Sequence, residues 1–280
     1  MAPKNGTIRL LHKQSALVVA AKEAFMQELA AGAQRDIAFY EGEFFVKTLE
    51  GKAELTQAYR LRHRVFAETL RWVPPTDDGQ EMDMYDLWGS SIGLIDRGGK
   101  LHGLARLLPS SGLFMLEQDL RLLLPQDHVM RKEPDTAEIT RLAIDPDIND
   151  KGLSARLMLT LIKGIYHWAM AHGIRYFYLE VDHRFFRILN AIGIPSNPLG
   201  PPVPLPPAGA PSIAALMDIV QCEEVLGRKR PAVMEWMSAV TTTQGDIIRR
   251  TTGQCMEGEH RLSAFATSRT TTCVNEYAVL

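Results

Sequence analysis

The chain has 280 residues, 46% of them hydrophobic and 23% charged, a globular balance that can bury a sizeable core. Its formal net charge of −2 excludes a global electrostatic pull toward nucleic acid or membrane, and no apolar run is long enough to cross a bilayer. The cysteines Cys222, Cys255 and Cys273 lack metal-ligand spacing and suit a reducing cytoplasm better than a disulfide framework. The opening MAPKNGTIRLLHKQ has no apolar stretch before a cleavage site, so no export signal is expected.

Residues 1–37 read as a lead-in, with a helix over Ser15–Ala31 that stops at Gly32. Phe39–Leu49 has the aromatic, apolar character of a strand. Ala53–Leu70 reads as a helix with Leu55, Tyr59, Arg62 and Phe66 near one face. Trp72–Asp86 holds Pro74, Pro75, Asp77, Asp78 and Gly79 and is a loop. Leu87–Asp96 and Leu101–Leu108 form a hairpin across Arg97-Gly98-Gly99. Leu116–Leu124 reads as a short helix.

Ala137–Asp145 is a strand, followed by a turn at Asn149–Gly152 and a long amphipathic helix, Leu153–His172. Ile174–Val181 is a strand and His183–Ala191 a helix ending near Gly193. Pro195–Pro211 is proline-rich with an edge strand inside it, and Ser212–Gly227 is helical or mixed. From Arg228 a threonine-rich tail with little apolar period is expected to be flexible. The organisation predicted is a lead-in over 1–37, one domain over 38–227 and a tail over 228–280. The element order predicts an α/β fold with helices layered on a sheet.

Four groups of residues invite chemistry. The strand-to-helix turn at Asp145–Leu153 presents helix N-terminal amides, which favour anions such as a pantetheine phosphate, although most such turns are only turns. Arg62, Phe66 and Trp72 precede Glu81, Asp83 and Asp86. Carboxylates beside aromatics suit a sulfonium or ammonium, and a solvated acidic loop is the plainer alternative. Glu138 and Arg141 stand in one strand, where a buried carboxylate is costly unless paired or working. Regular alternation puts these two on opposite faces; a β-bulge near Thr140 turns both toward one cleft. Arg106, inside an apolar strand, needs an anionic partner, with Asp83 and Asp86 the natural candidates. None of the eight histidines has a partner at metal-ligand spacing, and no metal is expected.

The run Arg62-x-x-x-Phe66-x-x-x-x-x-Trp72, then Glu81-x-Asp83-x-x-Asp86, then Gly103-x-x-Arg106-Leu107-Leu108-Pro109, then Glu138-x-x-Arg141, resembles the acyl-homoserine lactone synthases of bacterial quorum sensing. The resemblance covers roughly Phe39–Leu226. It departs at Thr140 and Leu142, where the family usually has Ser and Phe. It departs again at Leu179-Glu180-Val181-Asp182-His183, where a threonine-containing strand end tied to 3-oxo acyl chains is missing.

The resemblance implies a GCN5-related N-acetyltransferase-like three-layer fold. In that fold a mixed twisted sheet carries helices on both faces and a bulge in the central strand. It implies acyl transfer from acyl-carrier protein or acyl-CoA to the amine of S-adenosylmethionine, then lactonisation that releases methylthioadenosine. Glu138, Arg141 and Asp86 are then the candidate catalytic residues, with Glu138 as base. Arg62, Phe66, Trp72, Glu81, Asp83 and Arg106 frame the S-adenosylmethionine pocket. Lys151, Gly152 and Leu142 meet the acyl-pantetheine arm. No cofactor, nucleic acid partner or membrane insertion is implied, and oligomeric state and acyl length stay open. Rival readings are an N-acyl amino acid synthase of the same fold and a non-catalytic module that binds acyl-carrier protein.

Overall fold

The computed structural model describes residues 36–240. Nine strands of the described chain form one sheet: β1 (Ala38–Glu41), β2 (Phe44–Thr48), β3 (Ser90–Ile95), β4 (Leu101–Pro109), β5 (Thr136–Ile144), β6 (Tyr176–Asp182), β7 (Ser196–Pro198), β8 (Val203–Leu205) and β9 (Ala210–Asp218). Their order is β1-β2-β3-β4-β5-β6-β9-β7, with β8 also paired to β9. All pairings are antiparallel except β5 with β6. The helices are α1 (Gly51–Arg62), α2 (Met115–Gln118), α3 (Lys151–His172), α4 (His183–Ile192), α5 (Ile219–Lys229) and α6 (Pro231–Ser238).

Helices cover both faces. On one, Ile92, Leu107, Ile139 and Ile144 of the sheet pack with Leu157, Leu161, Ile165 and Trp168 of α3 and with Phe185 and Leu189 of α4. On the other, Leu61 of α1 with Val65 and Phe66 beyond it packs on Leu104 and Ala143, and Tyr85, Phe114 and Leu116 pack on Leu108 and Tyr178. The apolar period of α3 fixes its buried face. Gly164 lets it approach the sheet, since a Cβ there would meet Val46 Cγ1 at 2.8 Å. The left-handed Gly173 (φ 68°) ends the helix. This is the layered architecture, with a mixed sheet, expected from the sequence.

β5 carries a bulge next to Thr140, the alternative to regular alternation. Arg106 pairs with Thr140 and Leu104 with Ala143, so Arg141 and Leu142 together oppose Ala105. Arg141 takes the left-handed φ of 53°, a strained conformation for a non-glycine residue.

Other boundaries moved. Phe39–Leu49 is a hairpin, β1 and β2, rather than one strand. Helix Ala53–Leu70 is α-helical only to Arg62 and continues in wider turns over His63–Thr69. Leu116–Leu124 is one turn, α2, plus a 3₁₀ turn at Arg121–Leu123. The mixed segment Ser212–Gly227 resolves into β9, fully paired to β6, and α5. Part of the expected flexible tail is ordered as α6, with Met237 buried and Trp236 Nε1 donating to Glu41 Oε1 at 3.0 Å. The expected helix at Ser15–Ala31 lies outside the described residues, as do Cys255 and Cys273. No described helix is long and apolar enough to cross a membrane.

Candidate active site

Residues 104, 106 and 108 of β4 share a face, and so do 138 and 140 of β5. That face looks toward α1 and the acidic loop. Arg106 is fully buried on it. It donates from Nε to Thr140 Oγ1 at 2.9 Å, from Nη1 to Asp86 Oδ1 at 2.8 Å and to Asp83 Oδ1, and from Nη2 to Asp83 Oδ2 at 3.0 Å. Both predicted partners of Arg106 are therefore present.

Arg62, at the C-terminal end of α1 and also fully buried, donates to Glu81 Oε2 at 2.5 Å and to Asp86 Oδ1 at 2.6 Å. Arg141, swung over by the bulge, donates from Nη2 to Glu81 Oε1 at 2.9 Å and to Asp83 Oδ2 at 3.1 Å. Three arginines thus neutralise three carboxylates. Asp83 and Asp86 also cap the turn at Met84–Leu87, the first accepting from Tyr85 N and the second from Asp83 N. The loop is pinned at its start too, where Glu81 N donates to Tyr59 O at 3.0 Å.

This network answers the choice between a cation grip and a solvated acidic loop with a third arrangement. Glu81 is buried, and the carboxylates face arginines. Burial pushes the Glu81 carboxyl up, but the Arg141 and Arg62 guanidiniums outweigh it and hold it down at about 2. Asp86 is lowered for the same reason by Arg62 and Arg106. Asp86 braces two arginines, and Arg141 orders the acidic loop; its partners are Glu81 and Asp83.

The aromatics sit on the wall next to this network. Phe66 is buried and Trp72 half-buried, their rings 6.1 Å apart. The left-handed Arg71 (φ 58°) folds the chain back, so that Trp72 N donates to Phe66 O at 2.8 Å. The Arg141 guanidinium lies over the Phe66 ring at 5.2 Å. Tyr85 is core, buried and donating to Asp119 Oδ2 at 2.9 Å.

Glu138 is fully buried one pleat from Thr140. Its Oε2 accepts from Met115 N at 2.6 Å and its Oε1 from Leu116 N at 2.9 Å, a cradle formed by the first turn of α2. Burial raises its proton affinity. The Leu116 and Met115 amides, Arg106 and Lys132 oppose that, and the balance is a carboxyl raised to about 7. A group poised there can take up and release a proton at neutral pH.

β5 and β6 are paired from Thr136–Tyr176 to Ile139–Leu179 and not beyond, although β5 runs on to Ile144 and β6 to Asp182. The two strands part just past Glu138. On the far face, beside Ile139, Leu142 and Leu179, lies an apolar cavity of about 70 Å³, lined also by Ile165 of α3, Cys222 of α5 and Met237 of α6.

The remaining predicted residues are placed less decisively. Lys151 and Gly152 open α3, but Asp150 Oδ1 already accepts from Gly152 N at 2.8 Å and Leu153 N at 3.1 Å. An anion there would have to displace that carboxylate. Arg131 and Lys132, adjacent in the loop before β5, are paired internally, Arg131 with Asp135 at 2.6 Å and Lys132 with Glu117 at 2.7 Å. Sequence reasoning missed Thr140, the Met115–Leu116 amides and Glu180. A lone carboxylate in the apolar run Tyr176–Val181 was the available signal for the last.

A family model described as autoinducer synthase matches residues 47–224. The acyl-homoserine-lactone synthase of Agrobacterium fabrum is 36% identical over 152 residues, 53% of this chain and 72% of that protein. A probable acyl-homoserine-lactone synthase of Sinorhizobium fredii is 28% identical over 203 residues, 71% of this chain and 94% of that one. Among solved structures, the AHL synthase LasI superposes with a TM-score of 0.57 at 18% identity, covering 72% of this chain and 98% of that one. BjaI, a CoA-dependent acyl-homoserine lactone synthase solved with MTA, gives 0.55 at 23%, covering 71% and 90%; both likenesses bear on the fold. The chain belongs to the autoinducer synthase family. As a member of that family it is an acyltransferase.

Proposed function

We propose that this protein makes acyl-homoserine lactones. It transfers an acyl group from an acyl thioester, on acyl-carrier protein or coenzyme A, to the α-amine of S-adenosylmethionine, and then closes the lactone with loss of methylthioadenosine. One observation carries the reading. A buried carboxyl raised to about 7, Glu138, stands beside the arginine–carboxylate wall where two parallel strands part, and an apolar cavity lies on the other face of those strands.

In the first step the substrate ammonium must lose a proton before it can attack. Glu138 takes that proton, and the attack expels the thiolate. In this reading, peptide N–H groups of β5 beyond its pairing with β6 stabilise the oxyanion. The acyl tail is taken toward the apolar cavity on the opposite face, which Leu142 lines. In the second step the substrate carboxylate displaces the sulfonium at its own γ-carbon. The leaving group is already activated, so this step needs orientation more than proton transfer.

Phe66 and Trp72 supply aromatic faces for the sulfonium. Arg62, Glu81, Asp83, Asp86, Arg106 and Arg141 hold the wall that positions it. The thioester and the sulfonium bring their own reactivity, so the chemistry needs no cofactor.

The test is mass spectrometry of the products from purified full-length protein, S-adenosylmethionine and a panel of acyl-CoA and acyl-carrier-protein donors. An N-acyl homoserine lactone with at least one donor is expected. An N-acylated free amino acid without methylthioadenosine would favour the amino acid synthase reading. Binding of acyl thioester with no product would favour a non-catalytic module.

A further inference from the structure

A second carboxyl stands beside Glu138. Glu138 lies opposite Tyr178 in the parallel register, so Glu180 is one pleat further along β6 on the same face. That places it at the opening where β5 has left β6. The two carboxyls have opposite surroundings. Both oxygens of Glu138 accept backbone amides, which stabilises its anion. The Oε2 of Glu180 is covered and has no hydrogen-bond partner among the described residues.

The charged groups acting on Glu180 are Glu138 and Arg141 of β5 and Arg106 of β4. Its neighbour on β9 is Ala214, which offers no charge. Burial first, and then the charge of Glu138, hold the Glu180 carboxyl well above the usual range. Of two such neighbouring carboxyls, the one held by two amides of another element serves as base, and the one with an unpartnered oxygen and at most its own backbone amide stays an acid.

We propose that Glu180 is a further catalytic residue, a neutral carboxylic acid that delivers its proton to the sulfur leaving the acyl thioester. The proposal rests on the aminolysis reading of the site given above. The ammonium proton moves to a Glu138 oxygen. The nitrogen lone pair forms the N–C bond and a second N–H proton leaves to solvent; the C–S bond breaks, its electron pair stays on sulfur, and the Glu180 proton joins that sulfur to give the free thiol. Glu138 ends protonated and Glu180 ionised, and exchange through solvent resets them. The pair carries one charge before and after, so no second buried charge is created.

The experiment compares two donors of the same acyl group: its coenzyme A thioester and its thiophenol thioester. An aryl thiolate leaves without a proton, so only the first donor needs the acid. In Glu180→Gln, transfer from the coenzyme A thioester is expected to fall about 10²-fold, while transfer from the aryl thioester stays close to wild type. Glu138→Gln should slow both donors. If Glu180→Gln does not fold, wild-type kcat/KM supplies the readout, with a high-pH fall for the coenzyme A donor that the aryl donor lacks. Equal loss with both donors, no loss with either, or identical high-pH limbs overturns the acid role and leaves Glu138 as base. Failure of wild-type protein to form the acyl-amide bond with either donor would instead remove the reading beneath it.

Discussion

At the residue scale the account turns on what burial does to single carboxyls. Glu138 and Glu81 are both buried and shift in opposite directions because their partners differ. Glu138 meets amides and more distant cations and is raised to about 7. Glu81 touches two guanidiniums and is held at about 2. Glu138→Gln should reduce turnover by about 10²–10⁴, the usual range for loss of a general base, measured as methylthioadenosine release. In the wild type, kcat/KM should rise with pH through about 7 as Glu138 loses its proton.

The same two residues set opposite stability slopes. Glu138 has a raised folded value, so its contribution is full at low pH and is lost as pH climbs through about 7. Wild-type stability should therefore fall as pH climbs from 4.5 to about 7, a slope that Glu138→Gln lacks. Glu81 has a lowered folded value. Its contribution is full above the ordinary 4.5 and is lost as pH falls toward 2, so acid unfolding in that window should weaken in Glu81→Gln. Removing a buried guanidinium is harsher. Arg62→Met leaves Glu81 to Arg141 and Asp86 to Arg106 but puts an uncompensated charge in the buried network, and should cost about 3–5 kcal/mol in a denaturant melt.

At the element scale, two features decide what each strand and helix presents. The bulge in β5 turns Arg141 to the face of Glu138. Without it the alternation of a strand would send Arg141 into the apolar layer under α3. Its need was legible from Glu138-x-x-Arg141 alone, since two charges three apart cannot share a face of a regular strand. The α1 helix was legible only in part. Its apolar spacing runs past Arg62, but no local signal in His63–Thr69 announces the wider turns that bring Phe66 N-terminal to the Trp72 fold-back.

β9 and α6 were misread for a related reason. Ile213–Met217 is a short, wholly apolar run whose period distinguishes neither strand nor helix. Pro231–Ser238 is a single short helix whose order comes from Trp236 on Glu41 and Met237 in the cavity, contacts made far away in sequence. The cavity gives an element-scale prediction. Cys222→Phe, from α5, fills it and should lower activity with long acyl donors more than with short ones, at a stability cost of about 1–3 kcal/mol. Equal loss across chain lengths in the donor panel would place the acyl tail elsewhere.

At the scale of the whole molecule, the sheet separates two jobs. Its α1 face carries the charged wall and Glu138, and its α3 face carries the apolar cavity. The end of the β5–β6 pairing at Ile139 and Leu179 lies beside both. The four sequence blocks announced the first face, because charged residues in apolar strands stand out. The second face was not announced, because cavity-lining residues such as Ile165, Leu179 and Met237 have the same composition as any core. α6 ties the cavity side to the sheet edge through Glu41, which also holds the buried Lys163 at 2.6 Å. Ending the chain after Arg230 should lower the melting temperature by roughly 5 °C or more and blunt discrimination among acyl lengths.

The central claim is that one site joins thioester aminolysis to loss of methylthioadenosine. Its most direct measurement follows free thiol and methylthioadenosine together in a single reaction with S-adenosylmethionine and a productive acyl donor. The account predicts that both appear in equal amounts, that thiol release depends on S-adenosylmethionine, and that Glu138→Gln suppresses both. Thiol released without methylthioadenosine, or undiminished release of both from Glu138→Gln, would contradict it.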